Sequence, residues 1–479
     1  MFVGSDNRSG RADIGYYNGG YQNETFVDPL VNYISALLDR SNTSQYQSST
    51  IFFSKGPSSP FVSQFFDKAQ QPGLAWVQRI FNLEPQWTVE PDPQVIEQTV
   101  RSLLPLSTVH VLVMRVSLPV DPYYKAMSEV STVGWISRTT TRPVPGVITY
   151  QFSRDNPIGF EWIITTNMPG RPLKELWRSL SFSAKTSLVG EFAAYSSCLF
   201  QNQFQGIGNL YKTATMLNDS GVSGATWPGG TPPYPIKSPV SEKEHIPAGL
   251  ADDVHRGPLT SSGDWITSRL SLREKDCQST LDNLPSGDPD SDDEADAHDA
   301  IRTLEIIGKL KALLPSILPP SVDNPEPSVL VHDDLSSRNI LVHNNGELAA
   351  ILDWECVSAL PLWNACDYPA FLQGRSRRSE PGLGRYRVEA NGEVCDLYWE
   401  HLWDYEITLL RDVFIERMKR LEPEWVEVFD KSQSQRDFAP VVQNCDNEFL
   451  ARRIREWIND LTAGVDNNYR SLHDRIYED

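Results

Sequence analysis

No run of this chain approaches the ~20 consecutive apolar residues that a membrane-crossing helix needs, so no membrane partner is expected. Cysteine is sparse: six residues, at 198, 277, 356, 366, 395 and 445, with no Cys-x-x-Cys spacing. That excludes zinc ribbons and dithiol redox motifs, and it predicts reduced thiols in a cytoplasmic protein. Positive charge is in deficit. Forty-three Lys and Arg stand against 63 Asp and Glu, a formal net charge of −20, which argues against a nucleic acid or an anionic membrane as partner. The N-terminus has no apolar core of the secretory type, and its early acids, Asp6 and Asp13, do not suit a mitochondrial presequence.

What is present concentrates between residues 332 and 355: His332, Asp333, Asp334, Leu335, three residues, Asn339, then Asp353-Trp354-Glu355. His-x-Asp-Leu-x-x-x-Asn is the loop pattern of enzymes that move a phosphoryl group from a nucleoside triphosphate to a hydroxyl. Such chemistry needs a carboxylate to orient and deprotonate the acceptor, for which Asp334 is suited. It also needs Mg²⁺ against the phosphates, and Asn339 and Asp353 offer the hard oxygen ligands that magnesium prefers. Asn339–Val342 and Leu348–Leu352 read as strands around an Asn344-Asn345-Gly346 turn. Folding about Gly346 would set Asn339 opposite Asp353. The plainer alternative is a surface hairpin with His332 as a core histidine. Asp-Phe-Gly and Ala-Pro-Glu, which a protein kinase would carry, are missing.

HDDLSSRNILV…ILDWE resembles the aminoglycoside phosphotransferase and choline kinase-like family, closest to its fungal branch. The resemblance extends through RVSLPVDPYYKAMSEVSTVGWIS (115–137), residues 143–173, IGNLY (207–211) and ALPLWNACDYPAFLQG (359–374), covering most of residues 111–460. It implies an α+β, two-lobed kinase-like fold that binds ATP with Mg²⁺ in the cleft and a small-molecule acceptor on the large lobe. By the same resemblance, Arg115 would steady the α and β phosphates and Glu129 would position Arg115. Backbone groups around Thr166 to Met168 would meet the adenine edge, and His332 would brace the catalytic loop. For Arg115 and Glu129 the plainer reading is an ordinary surface ion pair.

The organisation expected from sequence is a poorly ordered tail (1–45), an N-terminal helical extension (46–107), the remainder of a small lobe (108–170) and a large lobe (171–479). Helical spacing is read over Ser63–Leu83 and over Asp92–Leu104. Residues 213–262, rich in Gly, Pro and Ser, read as a loop, and the acidic run 282–299 as a solvated, disordered insertion. One part is missing. Relatives carry a glycine-rich hairpin over the triphosphate just before the strand of Arg115, yet only residues 105–110 separate that strand from the preceding helix. Three explanations fit: a true loss, an exon absent from the coding sequence, or replacement by the Gly-rich text at 15–23. The intact large-lobe motif favours the second. The competing functional reading is a kinase-fold binding protein without turnover.

Overall fold

The computed structural model describes residues 51–55, 72–78, 83–103, 112–119, 122–211, 236–237, 259–284, 291–320, 325–355, 357–389, 392–463 and 470–477. The chain is a mixed α/β protein, β-rich toward the N-terminus and mainly helical toward the C-terminus. The small lobe holds β1 (Ile51–Lys55), β2 (Leu74–Gln78), β3 (Leu83–Trp87), α1 (Pro93–Leu103), β4 (Leu112–Val116), α2 (Tyr124–Thr139), β5 (Val147–Gln151) and β6 (Trp162–Thr166). Its main sheet runs β1-β4-β6-β5, with β1 parallel and β6 antiparallel to β4.

Side chains alternate along a strand, and this decides where Arg115 goes. Leu112, Met114 and Val116 are buried against Ile96 and Val100 of α1. Arg115 therefore faces the other side, where its register partner Ile163 packs on Ala126, Met127 and Val130 of α2.

Of the helix read over Ser63–Leu83, residues 63–71 and 79–82 lie outside the described residues, and 74–78 form strand β2, paired antiparallel with β3. Pro72-Gly73 opens that hairpin, with Gly73 at φ +92, and Pro85 inside β3 would interrupt a helix. The described residues of the 46–107 extension hold strands β1 to β3 as well as helix α1. Helix α1 forms where the periodicity placed it.

In the large lobe, β7 (Arg171–Pro172), α3 (Leu173–Leu176) and α4 (Phe182–Phe200) lead to β8 (Phe204–Gln205), β9 (Gly208–Leu210) and β10 (Ile236–Lys237). Helices α5 (Ser262–Asp282) and α6 (Ser291–Ile317) follow as a packed pair. From sequence, no element is expected at α5, and the acidic run 282–299 reads as a disordered insertion. The acidic residues Asp292, Asp293, Glu294 and Asp296 instead occupy the first turns of α6, where carboxylates interact favourably with the positive helix end. The remaining elements are β11 (Pro327–Val331), β12 (Ile340–Val342), β13 (Leu348–Ile351), β14 (Ser358–Pro361), α7 (Leu362–Ala365), α8 (Asp396–Leu421), α9 (Pro423–Lys431), α10 (Gln433–Gln443), α11 (Glu448–Thr462) and α12 (Leu472–Tyr477).

The main large-lobe core joins α4, α8 and the strands beneath the 332–339 loop, through residues such as Phe192, Leu335, Trp354 and Phe414. Lys185 of α4 meets Glu406 of α8 at 2.7 Å, with Trp177 Nε1 donating to the same carboxylate. Cys198, Cys277, Cys366, Cys395 and Cys445 are free thiols, and Cys356 lies outside the described residues. Among the described residues no helix is long and apolar enough to cross a membrane.

Candidate active site

Strand β11 delivers the chain to His332, and the loop that follows is held at both ends by the backbone. Leu335 is buried, and its carbonyl accepts from Phe371 N at 3.0 Å; the carbonyl of Ser337 accepts from Lys174 N at 2.9 Å. Asp334 is left exposed at the loop's crest. The buried Asn339 donates through Nδ2 to the Asp334 carboxylate at 2.8 Å and to the Asp334 carbonyl at 2.9 Å. The two residues thus stand as one unit, which leaves Asn339 Oδ1 as the amide's remaining acceptor.

The Asn344-Asn345-Gly346 turn closes the β12–β13 hairpin, with Gly346 at φ +87. A Cβ at Gly346 would come within 2.9 Å of Ala184 Cβ, so this position needs glycine for both conformation and space. The register is one residue off the symmetrical expectation. Ile340 pairs with Ile351, a bulge lies between Leu341 and Val342, and Leu352 N donates to Asn339 O at 2.8 Å. The turn centres on Asn345, with Val342 opposite Leu348, which alone would set Asn339 opposite Ile351; the bulge shifts it by one residue to Leu352. Asp353 leaves the strand line with φ +61, one of two non-glycine residues at positive φ among those described. Non-glycine residues adopt this region at a cost and mostly where surroundings impose it. The turn aims the Asp353 carboxylate toward the small lobe.

There it meets Arg115. Nη1 of Arg115 lies 3.5 Å from Asp353 Oδ1 and 2.7 Å from Glu355 Oε2, while Nη2 contacts Glu129 Oε2. Lys125 Nζ reaches the same Glu355 oxygen at 3.3 Å. The five side chains are between 5% and 17% exposed, so Arg115–Glu129 is no surface pair. Two cations and three carboxylates form a partly dehydrated cluster that ties the small-lobe sheet and α2 to the Asp353 segment. Lys125 was missed by sequence reasoning, and Glu355 was quoted there without a role. The available signal was helical spacing: Lys125 and Glu129 are four residues apart, on one face of α2.

Among the described residues no group of three or more His, Cys, Asp or Glu could hold a metal by itself. A site built from Asn339 and Asp353 would need further oxygens from phosphate and water, the usual manner of magnesium. Thr166 ends β6, and both its N–H and its hydroxyl oxygen are engaged with Gly146, at 2.9 and 2.8 Å. Met168 packs against the patch of Leu341, Ala349 and Ala350 beneath the hinge.

A sequence profile of the phosphotransferase enzyme family (APH) matches residues 110–364, more than half of the chain. The chain belongs to that family. Similar curated proteins are fungal. A subtelomeric hrmA-associated cluster protein of Aspergillus fumigatus is 26% identical over 299 residues, 56% of this chain and 57% of its own. Clavilactone A biosynthesis cluster protein Y of Ampulloclitocybe clavipes is 26% identical over 249 residues, covering 52% and 53%. The chain spans little more than half the length of these relatives. Among solved structures, the apo form of a thermostable mutant of aminoglycoside phosphotransferase APH(4)-Ia is 14% identical over 72% of this chain and 85% of that one, at a TM-score of 0.31.

In this family member His332 is sandwiched in the fold beside the loop. Its Nε2 lies 2.9 Å from the Leu352 carbonyl, which it meets as a donor, and its ring stands edge-on to Trp354 at 5.0 Å. Burial pushes its pKa below the usual 6.5. The unfolded chain protonates near pH 6.5 and the folded one only at lower pH, so stability is full above that value and falls as pH drops below it. Urea unfolding at pH 7.5 and 5.5 should therefore show an acid loss that His332→Gln makes shallower, by at most ~1.4 kcal/mol per pH unit. Equal slopes for both chains would refute the assignment.

Beside the loop lies a cavity of about 330 Å³, whose wall includes His332, Asp333 and Leu335, the neighbours of Asp334. Asp367, Tyr368 and Pro369 also line it, whereas Cys366 is fully buried and Trp363 donates to Ser262 Oγ at 2.7 Å. Helices α5 and α10 close the far side through Trp265, Arg269, Arg436 and Gln443.

Proposed function

We propose that this chain transfers the γ-phosphoryl group of ATP to a hydroxyl of a small-molecule acceptor. The observation that carries the reading is convergence: the Asp334–Asn339 pair on one side of the cleft, and Arg115 reaching Asp353 from the other. Asp334 orients the acceptor hydroxyl and takes its proton as the acceptor oxygen bonds to phosphorus and the bond to the ADP oxygen breaks. Asn339 and Asp353 would hold Mg²⁺, which when bound neutralises phosphate charge. Arg115, steadied by Glu129, is the cation for the α and β phosphates. Its present contacts with Asp353 and Glu355 loosen as the nucleotide's phosphates arrive. With the N–H of Thr166 bonded to Gly146, the backbone of Asn167 and Met168 is left to meet the adenine edge, above Leu341. Catalysis is then mainly positioning and charge neutralisation.

A second reading, binding without turnover, is favoured by one observation. Neither residues 79–82, between β2 and β3, nor residues 105–110, before β4, carry the glycine-rich sequence that lets a backbone close over phosphates. Calorimetric titration of ATP with Mg²⁺ separates the two. Metal-dependent binding that Asp353→Ala removes is the expected result. Heat that Asp353→Ala leaves unchanged would overturn the metal assignment, and no binding at all would favour the second reading.

A further inference from the structure

We infer that Lys125 is a positioning residue of the nucleotide site: it holds the Glu355 carboxylate when Arg115 turns from that carboxylate to the phosphates, and so sets how readily Arg115 is released. This rests on the phosphotransfer reading above. Phosphotransfer by Asp334, Asn339, Asp353, Arg115 and Glu129 leaves Lys125 and Glu355 without a task, although their side chains are only 7% and 5% exposed.

Lys125 is the second residue of α2, and a cation in the first turn opposes the helix dipole. Helix energetics therefore does not recruit it. The start of α2 is instead fixed from outside the helix. Tyr123 stands at φ +72, and its N–H donates to Glu161 Oε1 at 2.6 Å. Glu161 is itself buried and leads directly into β6. Ala126, Met127 and Val130 then bury against Ile163 of β6. With α2 held in this way, Lys125 and Glu129, four residues apart, both reach the cluster around Arg115.

Glu355 Oε2 serves two cations, Arg115 Nη1 at 2.7 Å and Lys125 Nζ at 3.3 Å. The shorter contact is the one that breaks when Arg115 grips the phosphates. A carboxylate so buried cannot exchange a lost cation for water, and it is costly to leave alone. Lys125 already stands within ion-pair distance of the same oxygen, so the charge stays matched as Arg115 departs. Without the lysine, Arg115 would be the one cation of the cluster left to Glu355, and that carboxylate would compete with the phosphates for it. The charge count agrees. Arg115 and Lys125 against Glu129, Asp353 and Glu355 give −1. Loss of Lys125 makes it −2, where a polyanion has to bind.

The test is calorimetric titration of ATP, with Mg²⁺ in excess, into the full chain and its variants. Lys125→Met should weaken ATP binding about tenfold, the scale of one charge acting over several ångströms in a partly dehydrated site. Lys125→Arg, which keeps the cation, should recover most of that loss. Glu355→Gln should tighten binding. Lys125→Met combined with Glu355→Gln returns the cluster to −1 and should bind as the unaltered chain does. A lysine that only stabilised the fold would give weaker binding in each single variant and no recovery in the pair, and that result overturns the inference. Unchanged affinity in Lys125→Met overturns it as well. Should circular dichroism show that Lys125→Met does not fold, Glu355→Gln decides alone: tighter binding supports the inference, and equal or weaker binding refutes it. Affinity that ignores Lys125 leaves phosphotransfer standing, whereas no ATP binding by the unaltered chain removes the phosphotransfer reading and this inference with it.

Discussion

Asp334→Asn is expected to lower turnover by about 10²–10⁴-fold, the usual contribution of a general base, while ATP affinity stays nearly unchanged. The substitution is close to isosteric. Asn339 Nδ2 now donates to Asp334 Oδ2 at 2.8 Å, and the amide oxygen of an asparagine can accept the same bond. The loop should therefore keep its shape, since its anchors are the backbone bonds at Leu335 and Ser337. What is lost is the ability to receive the acceptor's proton. Steady-state kinetics with any accepted alcohol, together with calorimetry, would separate the two quantities. Undiminished turnover would remove Asp334 from the mechanism. Equal losses of turnover and of ATP affinity would mean that the side chain acts in the nucleotide site and not on the acceptor.

Glu355→Ala should measurably weaken folding. Glu355 is 5% exposed and receives both Arg115, at 2.7 Å, and Lys125, at 3.3 Å. Removing it leaves two cations against Glu129 and Asp353, in a place where neither cation can recover its water. Breaking a buried ion pair from one side typically costs about 3–5 kcal/mol, a large part of the 5–15 kcal/mol by which domains are stable. Chemical denaturation should report that loss. A double-mutant cycle with Arg115→Met should return a coupling well above the ~0.5 kcal/mol within which distant, independent sites add. Additive behaviour would mean that the cluster's contacts contribute nothing jointly. Arg115→Met alone should cost at least as much, because Lys125 is then the one cation of the cluster left against Glu129, Asp353 and Glu355.

Local chemistry made much of this protein legible in advance. The Asn344-Asn345-Gly346 turn and its flanking apolar runs specify the β12–β13 hairpin, because only a glycine-bearing turn fits between strands of that length. Alternation along residues 112–116 separates Arg115 from its buried neighbours, and the helical spacing from Tyr124 carries Glu129 toward it. The failures also have physical reasons. At 74–87 the apolar residues are dense enough to fit either period, and the Pro72-Gly73 opening decided for strands. At 291–299 the acids suggested a solvated segment by composition, but the field of a helix N-terminus accommodates them. The turn centres on Asn345 and not on Gly346, with Val342 paired to Leu348, and that offset, which the bulge after Leu341 only partly makes up, keeps Asp353 off the position opposite Asn339.

By itself the sequence determined the family, the loop that carries Asp334 and Asn339, and the existence of a second carboxylate at Asp353. These depend on residues close together in the chain, whose spacing constrains their geometry. Only the tertiary structure decided that Arg115 bridges Glu129, Asp353 and Glu355, that Lys125 joins them, and that α5 and α10 bring Arg269 and Arg436 into one cavity lining with Asp333 and Asp367. Those partners are separated by up to hundreds of residues along the chain. Their meeting depends on how sheets and helices pack, and packing responds to the shapes of whole surfaces and not to any local run of residues.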